Sequence, residues 1–119
     1  MKVLKSERTN GDFFPAGIKR LDFESGYDGF RDWVLLLPGR IKHLWFIVIH
    51  GHGSAGDQLY TRRDVRENWL PVFMATGAGI LTPNLRGNSW MGPAAAYDMH
   101  DLIGYLREEY GMRQSIFCS

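Results

Sequence analysis

The sequence predicts an α/β fold: a mostly parallel sheet flanked by helices, with a β-hairpin near the N-terminus. Three observations carry this expectation. Leu44–Ile49 is an unbroken apolar run without alternation, the pattern of a strand covered on both faces. Leu21 and Phe23 alternate with Asp22 and Glu24, the period of a half-buried strand. Ala95, Met99, Leu102 and Leu106 recur at helical spacing and make one apolar stripe.

Taken in order, the first ten or so residues are polar, and residues 1–17 read as a flexible segment ahead of a domain spanning 18–119. The alternating strand around Leu21 runs into Ser25-Gly26-Tyr27-Asp28-Gly29, where glycine supplies positive φ and Asp supports local hydrogen bonds. Arg31 to Leu37 forms a second strand closed by Pro38-Gly39, and the two strands pair as the hairpin. Leu44–Ile49 comes next as a central strand. Ser54 to Glu67 is polar and reads as loop or a short helical turn. Asn68 is placed to cap a helix, Pro71 falls in its first turn, and Gly77 ends it. Trp69, Val72, Phe73 and Thr76 share the face expected to be buried. Gly79 to Pro83 is a third strand, Pro93 opens a longer helix, and Gly111 closes it. Ser115 to Cys118 starts a fourth strand.

The 119 residues are enough for one domain with a core. With 45% apolar and 23% charged residues and a formal charge of +1, nothing in the composition favours nucleic acid, a membrane surface or a polyanion. The apolar runs fall far short of the ~18 residues needed to span a bilayer. The polar start has no signal-peptide core, and the lone Cys118 suits a reducing compartment, so the expected location is cytoplasmic. Cys118 itself sits in a predicted buried strand, where an inert core thiol is the default.

In sheets of this class ligands bind at the carboxyl ends of the strands, and two glycine-bearing loops fall there. His50-Gly51-His52-Gly53 comes directly after the central strand. Its glycines allow a sharp turn that presents bare N–H groups, which can stabilise an oxyanion in acyl transfer. A plain tight turn is the bland reading. Two further readings stay open: a metal pair at His50 and His52, for which no nearby Cys or Glu completes a ligand set, and a nucleotide site, because Gly51-x-Gly53-x-x-Gly56 fits the G-x-G-x-x-G spacing. The second loop is Arg86-Gly87-Asn88-Ser89-Trp90. Arg86 either binds a substrate carboxylate or braces the loop through an ion pair, and Asp98 or Asp101 on the next helix is a candidate partner. Trp90 and Met91 either line a pocket or cover the sheet.

The strand ending in His50-Gly51-His52-Gly53 resembles the oxyanion loop of the α/β-hydrolase family. Pro83-Asn84-Leu85-Arg86-Gly87-Asn88-Ser89 is similar to that family's Asp-x-Arg-Gly-x-Gly-x-Ser region, with Asn84 in the acidic position and Asn88-Ser89 in place of its Gly-x-Ser ending. The helix from Pro93 and the strand Ser115-Ile116-Phe117-Cys118-Ser119 resemble the approach to a nucleophile elbow. The resemblance implies an incomplete α/β-hydrolase-like fold, the N-terminal part of an esterase-like serine hydrolase that cleaves an ester, or less readily an amide, by acyl transfer. It implies that the His52 backbone N–H donates to the oxyanion and that Gly51, Gly53, Arg86 and Trp90 lie along the substrate. No G-x-S-x-G is present in the chain, so the resemblance places nucleophile, acid and base beyond residue 119 and leaves the 119 residues inactive alone. It implies no cofactor and no metal. The expected partners are a small ester or peptide-like substrate and the missing C-terminal half of the same domain. The rival is a non-catalytic α/β module that binds a ligand or nucleotide at the same strand ends.

Overall fold

The computed structural model of the chain describes residues 1–9, 14–50, 56–87 and 92–118. Among the described residues six strands and four helices succeed one another: β1 (Lys2–Arg8), β2 (Lys19–Glu24), β3 (Arg31–Leu37), β4 (Ile41–Val48), α1 (Gln58–Thr61), α2 (Arg63–Asn68), α3 (Leu70–Ala75), β5 (Ala78–Pro83), α4 (Pro93–Tyr110) and β6 (Gln114–Cys118). They form one sheet in the order β1-β2-β3-β5-β4-β6.

The mostly parallel sheet expected from the sequence is overturned. β1 with β2, β2 with β3, and β3 with β5 pair antiparallel, and only β4 with β5 and β4 with β6 pair parallel. The sheet is mixed because the hairpin β2–β3 docks through β3 onto β5, with Val34 to Leu37 opposite Pro83 to Ile80. β1 then extends the antiparallel half, with Val3 opposite Phe23 and Arg8 opposite Lys19. Periodicity does not report this, because an apolar strand reads the same whichever neighbour it takes. The sequence reading placed no strand before Leu21. β1 is exposed along its whole length, so it carries no hydrophobic pattern that could announce it.

The two faces of the sheet carry separate cores. On one face, Ala95, Met99, Leu102 and Leu106 of α4 pack on Leu21, Phe23, Val34, Leu36, Trp45, Ile47 and Leu81. On the other, Leu59 and Tyr60 of α1 with Leu70 and Phe73 of α3 pack on Leu35, Leu37, Val48 and Ile80. β5 is buried at all six positions. It also lacks a side chain where one cannot fit: a Cβ on Gly79 would lie 2.5 Å from the Trp45 ring. α4 ends at Gly111, in the left-handed region at φ 69°, whose N–H returns to the Leu106 carbonyl.

The segment before β5 differs from expectation. Instead of one helix capped by Asn68, three short helices are broken at Arg62 and Trp69. Asn68 is the last residue of α2, and its Nδ2 donates to the Asp64 carbonyl at 2.7 Å. Of the face expected to be buried, Trp69 and Val72 are each 57% exposed and Phe73 is 8% exposed. The helix restarts at Leu70, so the pair turned to the sheet becomes Leu70 and Phe73. Among the described residues no helix is long and apolar enough to cross a membrane.

Candidate functional site

The helices that follow β4, α1 and α3, cover one face of the sheet, whereas the helix that follows β5, α4, covers the other. β4 and β5 are parallel neighbours. The helices after these two neighbouring strands thus lie on opposite sides, the arrangement that opens a ligand crevice in sheets with parallel strands. Both loops singled out from the sequence leave from this point.

Of the predicted site residues, Arg86 is described, and Gly51, His52, Gly53 and Trp90 lie outside the described residues. What is described is how the stems of the first loop are held. His50 Nε2 lies 2.5 Å from the Asn84 carbonyl oxygen. A carbonyl only accepts, so Nε2 carries the proton and is committed to this bond. Gly56 N–H donates to Asn84 Oδ1 at 3.2 Å. A Cβ on Gly56 would lie 2.7 Å from the Asn84 nitrogen and 2.9 Å from the Pro83 carbonyl carbon. Glycine is therefore required at 56 by a close backbone approach. The helix after Gly56 lends the phosphate-loop reading no support: α1 has four residues and its N-cap, Asp57, makes no side-chain cap bond.

Asn84 is joined in turn to a buried carboxylate. Its Nδ2 donates to Asp32 Oδ1 at 2.8 Å, the Trp33 N–H donates to the same oxygen at 2.9 Å, and the Arg86 N–H donates to Asp32 Oδ2 at 2.6 Å. Asp32 is 5% exposed, so these three donors replace the water it has lost. Asp32 can only accept and Gly56 N–H can only donate, which fixes the orientation of the amide between them.

The turn after Asn84 is strained. Leu85, Arg86 and Gly87 all have positive φ, at 51°, 62° and 74°. Only the glycine adopts this region freely. Each of the other two costs about 1–2 kcal/mol. Leu85 is buried against the α4-side core, a burial that stabilises by about 1.5–3 kcal/mol and offsets its own strain. Arg86 is held by its N–H on Asp32 and by its side chain.

That side chain is engaged at every nitrogen. Nη1 and Nη2 meet the two Asp28 oxygens at 2.6 and 2.7 Å, Nε donates to Asp98 Oδ2 at 3.1 Å, and Nη2 also donates to Ser25 Oγ at 3.1 Å. The guanidinium lies over the Phe30 ring at 4.8 Å. Ser25 Oγ closes the circuit on Asp98 Oδ1 at 2.5 Å. This is the geometry of a brace tying the turn to the hairpin and to α4. Hydrogen bonding to Arg86 holds the Asp28 carboxyl down at about 2. The bond from Asp28 pushes Arg86 further above its already high value.

The sequence offered Asp98 or Asp101 as the brace, and Arg86 takes Asp98 while Asp101 pairs with the Met1 amine; Asn84 stood out only as a departure from a family pattern. Sequence reasoning read Ser25 and Asp28 as turn chemistry and passed over Asp32. Two signals were present. Asp98 sits on the apolar stripe between Ala95 and Met99, and Asp32 is a carboxylate in a strand that is otherwise apolar from Trp33 onward. A charge in either position needs a partner.

A cavity of about 240 Å³ opens beside the same strand ends, lined by Val48, Ile49, Leu59, Phe73 and Cys118 with Gln58 as its polar member. Gln58 Oε1 is buried and has no hydrogen-bond partner among the described residues. No group of three or more His, Cys, Asp or Glu side chains able to hold a metal converges among the described residues. His52, the second half of the metal alternative, lies outside them. In comparisons with known proteins, no family model, no curated protein and no solved structure matches this chain.

Proposed function

We propose that this chain supplies the oxyanion side of a serine-hydrolase site that cleaves an ester, and less readily an amide, by acyl transfer. The observation that supports the reading is the tie between the two strand-end loops. His50 and Gly56 flank the Gly51–Gly53 segment, and both bond to Asn84 at the end of the neighbouring strand. A backbone donor works best when it is held in place before charge develops, because nothing must then reorganise during the reaction. In this reading the His52 N–H faces the developing oxyanion. His50 shapes the loop, with its Nε2–H given to the Asn84 carbonyl, and the general base lies elsewhere. The nucleophile and its acid and base come from residues other than these 119, because no G-x-S-x-G is present among them.

A fluorophosphonate probe tests this on the protein as expressed from its own gene. The expected result is a labelled serine in a Gly-x-Ser-x-Gly turn outside these residues, with no label on the 119-residue chain alone. A protein with neither the turn nor the label overturns the proposal.

A second reading, binding without turnover, draws on the cavity at Gln58. Its Oε1, without a partner among the described residues, is an acceptor, so the ligand would be small, largely apolar and carry one hydrogen-bond donor. A volume of about 240 Å³ lies just under the usual range for small-molecule sites, roughly 300–1,000 Å³. Saturable binding of such compounds by the 119-residue chain, absent in Gln58→Leu, is the outcome this reading expects.

A further inference from the structure

We infer that Asn84 is the positioning residue for His50 and Gly56, the two described ends of the first loop, and that the position requires an amide. The inference rests on the acyl-transfer reading for its functional meaning and on geometry for its substance. The main-chain oxygen of Asn84 accepts from His50 Nε2 and from the Gly87 N–H. Its side-chain oxygen accepts from the Gly56 N–H at 3.2 Å, and its side-chain nitrogen donates to Asp32 at 2.8 Å. One residue thus fixes both stems of the first loop, starts the turn that carries Arg86, and is itself anchored on the hairpin.

An amide can donate to Asp32 and accept from Gly56 at the same time. An ionised carboxylate in its place can still accept from Gly56, but would stand against the Asp32 carboxylate with no proton between them. Of the charged or titratable groups near this point, His50 gives its Nε2–H to the Asn84 carbonyl, Asp57 follows Gly56 in sequence, and Arg20, Asp22 and Arg31 lie beside Asp32 on β2 and β3. The Arg86 guanidinium is turned away to Asp28 and Asp98. None of the hydrogen bonds Asp32 makes among the described residues comes from a cationic side chain, so none of them would separate two carboxylates here.

Three measurements on the isotopically labelled chain test the inference. In the wild type, a coupling across the hydrogen bond between the Gly56 amide nitrogen and the Asn84 side-chain carbonyl carbon is expected, and its absence overturns the proposal. Asn84→Ala should lower the Gly56 amide protection factor by about tenfold or more, the effect of losing a typical buried hydrogen bond. A change below twofold overturns it. Asn84→Asp should lose the same protection at neutral pH and recover it in acid. Like charge raises the titration of one carboxyl of the pair, and the protonated group then donates to Asp32 as the amide does. Loss that does not reverse in acid overturns the requirement for an amide.

In the full-length protein, Asn84→Ala should lower kcat about 10²-fold with KM little changed, because a misplaced donor costs rate more than binding. Failure of the probe-labelling experiment removes the acyl-transfer reading and leaves the Gly56 measurements standing. Failure of the Gly56 measurements removes Asn84 as positioning residue and leaves the acyl-transfer reading intact.

Discussion

The Asp28 carboxylate grips the two terminal nitrogens of Arg86 at 2.6 and 2.7 Å across 58 positions of sequence. This fork joins the turn between β2 and β3 to the turn after β5. Through Nε the same guanidinium reaches Asp98 on α4, which is 2% exposed. Three separate elements at the carboxyl end of β5 are thereby tied to one side chain.

Acid should loosen that tie in a defined window. Asp28 titrates near 3.8 when free and at about 2 in the folded chain, held down first by its hydrogen bonds to Arg86. Between those values the unfolded chain binds more protons, so its contribution is complete above 3.8 and is lost as pH falls toward 2. Urea unfolding midpoints should fall across this window in the wild type and fall less in Asp28→Asn. Added salt should shrink the difference, because Asp28 is exposed and screened.

Removing Arg86 should cost far more than removing Asp28. Arg86→Ala leaves the buried Asp98 carboxylate with the Ser25 hydroxyl alone among the described residues, and stranding a buried charge costs about 3–5 kcal/mol. Arg86→Lys keeps the charge but cannot reach Asp28 with two nitrogens and Asp98 with a third, so it should fall between the two. Denaturant unfolding of the three variants gives the order directly. Equal losses in Asp28→Ala and Arg86→Ala would contradict the assignment of Asp98 as the buried partner.

Gly56→Ala should destabilise the chain by about 1–3 kcal/mol, since the new Cβ meets main-chain atoms that have no rotamer to move into. Thermal unfolding measures the loss. Shifts in the Asn84 side-chain amide resonances should accompany it, whereas Gly104→Ala, within α4 and with nothing within 4 Å of its Cβ, should leave those resonances in place.

The two edges of the sheet should behave differently. β1 presents Lys2, Lys5, Glu7 and Arg8, charges that discourage a further strand. β6 carries no charge, and Ile116 and Phe117 are 44% and 54% exposed, one on each face. The isolated chain should self-associate with rising concentration, and Phe117→Lys should suppress this without lowering the melting temperature. Sedimentation velocity across a concentration series decides it, and a wild type that stays monomeric throughout counts against the β6 edge as the contact.

The sequence by itself determined the elements whose pattern is local. The α4 stripe through Ala95, Met99, Leu102 and Leu106 and its stop at Gly111 were legible, because the period and the glycine are set by neighbours within a few turns. So were the strands at Leu21, Arg31, Gly79 and Ser115. Tertiary structure alone decided the sense and order of those strands, because an apolar face records burial and not the neighbour that buries it. It also decided the site. Asn84 meets Asp32 across 52 positions and Gly56 across 28, and no composition, period or spacing encodes a hydrogen bond between residues that only the folded sheet brings together.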